Sequence, residues 1–183
     1  VFGAAGNLST RRIEYPSGTE APESGRVQSI LHPDGRMDTY TYAADGLGTR
    51  ETVVHGTAAA PHGIAYKTTK EIRITDAFGN PTAEETYVYT GSGYELINRV
   101  ARFYDENNRM IEEIRSNGTM LENFWSCCYL EASVDAVGLA TRYSHDLLGR
   151  VSEESRPGPE GDIVTDYAYD ASGRRPGQTT TTG

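Results

Sequence analysis

Tyr167-Ala168-Tyr169-Asp170-Ala171-Ser172-Gly173-Arg174 is the stretch whose reading decides the fold. Two tyrosines one residue apart fit a strand, because alternate side chains of a strand share a face. The aspartate that follows suits the first position of a turn, where its carboxylate accepts a backbone N–H two residues on. Glycine three residues later supplies the positive φ at the turn exit. The arginine then opens a second strand. Eight residues thus describe one strand, one reversal and the start of the return.

The same spacing recurs along the chain. Asp45 to Gly48, Asp76 to Gly79, Asp135 to Gly138 and Asp146 to Gly149 repeat it, which with Asp170 makes five aspartates followed three residues on by glycine. Chance at this composition gives about one, so the excess is a repeat. Asp105 to Asn108 is a sixth case, asparagine being the next best residue at a left-handed position. The first intervals are 76 − 45 = 31, 105 − 76 = 29 and 135 − 105 = 30; the next two are 146 − 135 = 11 and 170 − 146 = 24. A period near 30 that subdivides fits hairpins whose lengths vary.

The intervening segments agree. Tyr40-Thr41-Tyr42 and Tyr87-Val88-Tyr89 repeat the tyrosine alternation, and Arg109-Met110-Ile111, Arg150-Val151 and Arg174-Arg175 reopen strands after turns. Asn117-Gly118 is the strongest short hairpin signal, joining Met110–Arg115 to Met120–Trp125. Pro33-Asp34-Gly35 and the segment Pro157 to Asp162 are further reversals, and 64–75 and 94–104 are the longer strands. The one alanine run, Ala58-Ala59-Ala60-Pro61, is too short for a helix and is stopped by proline. The expected fold class is all-β: successive antiparallel β-hairpins forming a curled or spiralling repeat sheet over residues 1–183, with the clearest repeats in 101–175.

Composition supports this and narrows the function. The chain has 20 glycines and 12 tyrosines, and its hydrophobic share of 37% is low for a compact globule. Such a sequence suits half-buried amphipathic rings on short strands rather than a thick core. The net charge is −9 with the basic residues dispersed, so no stripe tracks a phosphate backbone and nucleic acid is not an expected partner. No apolar run approaches the length of a membrane span. The opening Val1-Phe2-Gly3-Ala4-Ala5-Gly6 has no basic n-region and does not read as a signal peptide. Cys127 and Cys128 are adjacent. Placed in a strand they would point to opposite faces, which favours two structural thiols over a strained vicinal disulfide or a redox switch.

The Tyr167 to Arg174 segment resembles the tyrosine-aspartate repeat of RHS proteins, whose pattern is Y-x-Y-D-x-x-G-R. Tyr143-Ser144-His145-Asp146-Leu147-Leu148-Gly149-Arg150 matches with His145 in the second tyrosine place, and Phe103-Tyr104-Asp105-Glu106-Asn107-Asn108-Arg109 matches with Asn108 for glycine. Weaker copies lie around Tyr40 to Gly48 and Thr75 to Asn80. The resemblance extends to bacterial polymorphic toxins, the C component of insecticidal toxin complexes, and teneurins. It implies a non-catalytic segment of a hollow β-shell that encapsulates or presents a C-terminal toxin or other cargo, in a secreted or cell-surface protein. The implied partners are neighbouring repeats of the parent chain and an enclosed toxin domain. The D-P-x-G core motif of the family is absent from these 183 residues, so self-cleavage does not carry over.

Sharper chemistries find little support in the spacing. His32, His55, His62 and His145 are scattered, with neither triad-like nor metal-like intervals, and no cofactor, phosphate-loop or dinucleotide motif occurs. The repeated aspartates are already used by turns, so the expectation is no enzyme, no cofactor and no metal. The alternative function is a carbohydrate- or cell-surface-binding adhesion module. Its candidate glycan platform is Trp125, Tyr129, Tyr94 and Tyr104, whose rings would stack on sugars unless they pack between hairpins. Asn7-Leu8-Ser9 and Asn117-Gly118-Thr119 match the N-glycosylation pattern and are read as incidental.

Overall fold

A computed structural model describes residues 10–59, 63–175 and 177–182. Its regular elements are fourteen strands: β1 (Arg11–Glu14), β2 (Val27–Leu31), β3 (Arg36–Asp45), β4 (Gly48–Ala59), β5 (Gly63–Thr75), β6 (Pro81–Tyr89), β7 (Tyr94–Tyr104), β8 (Met110–Arg115), β9 (Met120–Trp125), β10 (Leu130–Val134), β11 (Ala140–His145), β12 (Val151–Gly158), β13 (Gly161–Ala168) and β14 (Gly177–Thr182). They form one sheet in which spatial order equals chain order. The all-β, antiparallel-hairpin expectation holds, and no helix occurs among the described residues. The segments 64–75 and 94–104 fall in long strands, as does β4, whose length the sequence reading passes over. The chain groups into two compact units, 1–101 and 102–183. Readings that fall on residues 1–9, 60–62 and 183, including the first glycosylation pattern, the end of the alanine run and His62, lie outside the described residues.

One turn dominates. At 32–36, 76–80, 105–109, 115–119, 135–139, 146–150 and 170–174 the first N–H donates to the fifth carbonyl and the fourth N–H donates to the first carbonyl. The fourth residue has positive φ each time: Gly35, Gly79, Asn108, Gly118, Gly138, Gly149 and Gly173, between 60° and 88°. This is the three-residue hairpin loop, a type I turn closed by one left-handed residue. Five of the seven begin with aspartate, whose Oδ1 accepts the N–H groups of the third and fifth residues at 2.8–3.0 Å. The other two begin with His32 and Arg115. There the third residue, Asp34 or Asn117, accepts the fifth N–H instead, at 3.1 Å. Asn117-Gly118 therefore sits at the third and fourth places of this loop rather than filling a two-residue one.

Asp45 to Gly48 departs from expectation. Asp45 and Gly48 are paired strand ends, and the positive φ belongs to Gly46, at 59°. Gly48 is required for a different reason: a Cβ there would lie 1.7 Å from the carbonyl oxygen of Thr75 on the adjacent strand. The cysteine pair is also corrected. Cys127 and Cys128 lie between β9 and β10, at a tip where Ser126 N–H donates to Tyr129 O at 2.9 Å, and not within a strand.

The apolar core is thin. Among the described residues the buried hydrophobic side chains are Met37, Val53, Ile72 and Ala83, all of the first unit and one from each of β3 to β6. The tyrosine pairs alternate as predicted, with Thr41, Val88 and Ala168 exposed between half-buried rings. In the first unit Tyr40, Val53, Glu71 and Thr86 are successive cross-strand partners and so share a face. Tyr87 follows Thr86, which puts the Tyr87–Tyr89 pair on the opposite face from Tyr40 and Tyr42. Both sides of this sheet thus carry tyrosine.

Candidate functional site

In the second unit the turns are wired to one another. The fifth turn residue is arginine in three repeats, and its Nε donates to Oδ2 of the turn's own aspartate: Arg109 to Asp105 at 2.7 Å, Arg150 to Asp146 at 2.7 Å and Arg174 to Asp170 at 3.0 Å. The remaining donors of the guanidinium can reach further. Arg109 Nη1 donates to the carbonyls of Ser126 at 2.8 Å and Cys127 at 3.3 Å, and its guanidinium lies 5.2 Å from the Trp125 ring centre. The turn between β7 and β8 is thereby tied to the one between β9 and β10.

The next link is aromatic. Tyr129 stacks on His145, with centres 4.9 Å apart and planes inclined by 22°. Its ring also covers Gly149, where an added Cβ would come within 2.4 Å of Tyr129 Cε1. Arg150 continues the series, 4.2 Å from the centre of the Tyr169 ring, whose hydroxyl donates to Val151 O at 2.7 Å. His145 occupies a tyrosine place of the repeat and is used as a flat ring. On the neighbouring strands Tyr143 and Ser133 hydroxyls meet at 3.2 Å, Tyr143 pairs across from Glu154, and the Tyr167 hydroxyl donates to Glu154 at 3.0 Å.

These contacts set the electrostatics. Asp105 and Asp170 are held below the ordinary carboxylate range, first by the backbone N–H of the fifth turn residue and then by its arginine side chain. For Asp146 the Arg150 side chain leads and the backbone follows. Burial, joined by the Glu154 carboxylate, pushes the Tyr167 hydroxyl up. In the first unit the same combination of burial and a nearby Glu51 pushes Tyr42 up to about 12. These carboxylates are therefore ionised and these phenols neutral near pH 7, which suits fixed hydrogen bonds rather than proton transfer.

The four residues of the candidate glycan platform are divided between the two units. Tyr94 belongs to the first unit, where it packs edge-on to Tyr89 at 5.3 Å beneath Lys67 and Lys70. Trp125, Tyr129 and Tyr104 belong to the second. Trp125 donates Nε1–H to Met110 O at 3.0 Å and is half-buried, as is Tyr104. Tyr129 is exposed but has His145 on one side. Asn117 of the second glycosylation pattern accepts bonds from both N–H and Oγ1 of Thr119.

One constellation escapes the sequence reading. Asp38 receives His32 Nε2 on Oδ2 and His55 Nδ1 on Oδ1, each at 2.7 Å. An ionised carboxylate only accepts, so both histidines carry their proton toward it. Burial pushes Asp38 upward, but the two histidine bonds outweigh it and the carboxyl sits below its usual range. His55 Nε2 is buried without a hydrogen-bond partner, 3.8 Å from Glu71 Oε1, at a groove of about 360 Å³. Asp38 and His55 are cross-strand partners, and the 32–36 turn folds His32 back over them. The cluster thus joins two imidazoles to one acid. Among the described residues no group of three or more ligand-type side chains is arranged to hold a metal ion.

No family model and no curated protein matches the chain. Solved structures do. The crystal structure of TcdB2-TccC3-TEV aligns over 94% of this chain and 11% of its own, with 12% identity and a TM-score of 0.33. That of TcdB2-TccC3 aligns over 86% and 11%, with the same identity and score. The chain thus spans about a tenth of the length of the chains it is similar to. No helix among the described residues is long and apolar enough to cross a membrane.

Proposed function

We propose that this chain is a non-catalytic wall segment of an RHS-type β-shell, which encloses or presents a toxin domain or other cargo in a secreted or surface protein. The observation that carries the reading is the use made of the repeat's pattern positions within this one chain: aspartate closes the turn, and arginine and the aromatic residue join that turn to the next. The aspartates and arginines of the repeat hold the hairpin turns closed. A sheet with few buried apolar residues and rings on both faces gains stability from neighbouring hairpins, as repeat arrays do. Support from both turn and neighbour suits a wall that must keep its shape.

A cryo-EM map of the polypeptide that carries these residues tests the reading. The wall expectation is that β1 and β14 each pair with a further hairpin and that one face borders enclosed density. A free-standing module with both faces in solvent would overturn it. A glycan array on the 183-residue chain tests the adhesion alternative: binding that disappears in both Trp125→Ala and Tyr129→Ala would favour that function instead.

A further inference from the structure

The cysteine pair at the tip between β9 and β10 is not used by the wall. Both thiols are exposed, and the Sγ atoms stand 2.9 Å apart, about 0.9 Å beyond an S–S bond of about 2.05 Å. The turn makes this possible, since adjacent residues of a straight strand point to opposite faces. Cys128 beside it raises the Cys127 thiol, first by hydrogen bond and then by charge, so its attack as a thiolate is favoured as pH rises. The carbonyl of Cys127 belongs to the peptide joining the two cysteines, and Arg109 Nη1 donates to that same oxygen.

We propose that Cys127-Cys128 is a reversible redox modification site that closes into a vicinal disulfide and, in doing so, withdraws the Cys127 carbonyl from Arg109. The oxidant is a low-molecular-weight disulfide. One cysteine thiolate attacks it, forming a mixed disulfide and expelling one small thiol. The second cysteine then displaces the other small thiol, leaving an S–S bond in the protein and two reduced thiols in solution. The resulting eight-membered ring contains the 127–128 peptide. Neighbouring Cα atoms lie about 3.8 Å apart, below the roughly 4.4–6.8 Å usual for a disulfide, so closure must turn that peptide. Turning it moves the Cys127 carbonyl away from Arg109 and alters the cation above Trp125, the single tryptophan of the chain. A bond formed under such constraint reopens readily, which makes it a switch and not a staple.

The test equilibrates the 183-residue chain with graded ratios of oxidised and reduced glutathione, at dilution, with intact-mass, thiol-alkylation and tryptophan-emission readouts. The expected result is a reversible loss of two hydrogens per chain, a fall from two alkylatable thiols to none, and a change in Trp125 emission over the same ratios. Cys127→Ser and Cys128→Ser should each lose the ring and the emission change while keeping the far-ultraviolet β spectrum. A chain that stays a dithiol at every ratio, or that oxidises only between chains, would overturn the site. Ring closure with unchanged emission would overturn the link to Arg109.

Discussion

At the residue scale, an aspartate organises five of the seven repeated turns, and in three of them the carboxylate has lone pairs enough for two backbone N–H groups and a guanidinium. Asp146 accepts from Leu148, Arg150 and the Arg150 side chain at once. Its position and that of Gly149 are legible in the sequence, since turn chemistry is local. The second half of the arginine's work is not, because the partner carbonyls of Arg109 lie seventeen and eighteen residues away. His32-Pro33-Asp34-Gly35-Arg36 reads as a reversal but not as the same turn, its first residue lacking the carboxylate that marks the others. Asp146→Ala should lower the thermal midpoint more than Arg150→Ala, as measured by circular dichroism, since it removes two backbone acceptor contacts as well as the ion pair. Gly149→Ala should destabilise by about 1–2 kcal/mol from the left-handed backbone alone. The added methyl must also displace the Tyr129 ring, so the total measured in urea melts should exceed that figure.

At the scale of elements, hairpins are joined by polar pairs where a globule would use apolar ones. Glu113 of β8 is buried and receives Arg102 of β7 at 2.8 Å and Arg115 of its own strand at 2.9 Å. Burial pushes its carboxyl up, and the two arginines bring it below the ordinary value. Glu113→Gln should cost about 1–3 kcal/mol in chemical denaturation, since it leaves a partly buried guanidinium without its anion. The period-two tyrosines make these strands legible. The His32–Asp38–His55 cluster stays hidden, because the pairing of Asp38 with His55 depends on the register between β3 and β4, which no spacing within either strand reveals.

At the scale of the whole molecule, two consequences follow from a thin core and many turn carboxylates. The buried apolar residues among those described all lie on β3 to β6, so amides of those strands should exchange slowest with deuterium, and the hairpins of the second unit faster. Asp34, Asp76, Asp105, Asp146 and Asp170 all have lowered pKa values. A carboxyl that is more acidic folded than unfolded adds stability above its unfolded value, about 3.9, and loses it as pH falls through the folded one. The thermal midpoint should therefore hold from neutral pH to about pH 5 and fall steeply below about pH 4. A midpoint independent of pH down to about pH 2 would show that these turns contribute little.

The unbroken agreement between chain order and strand order bears on how such a sheet is made. Each described strand pairs with its neighbour in the chain, so among the described residues no strand waits for a distant one and no loop has to be threaded. An all-β protein of this kind escapes the slow, long-range search that delays sandwiches and barrels. It can assemble one hairpin at a time from the end that first leaves a narrow exit, and it can be drawn back through one by peeling strands singly in the reverse order.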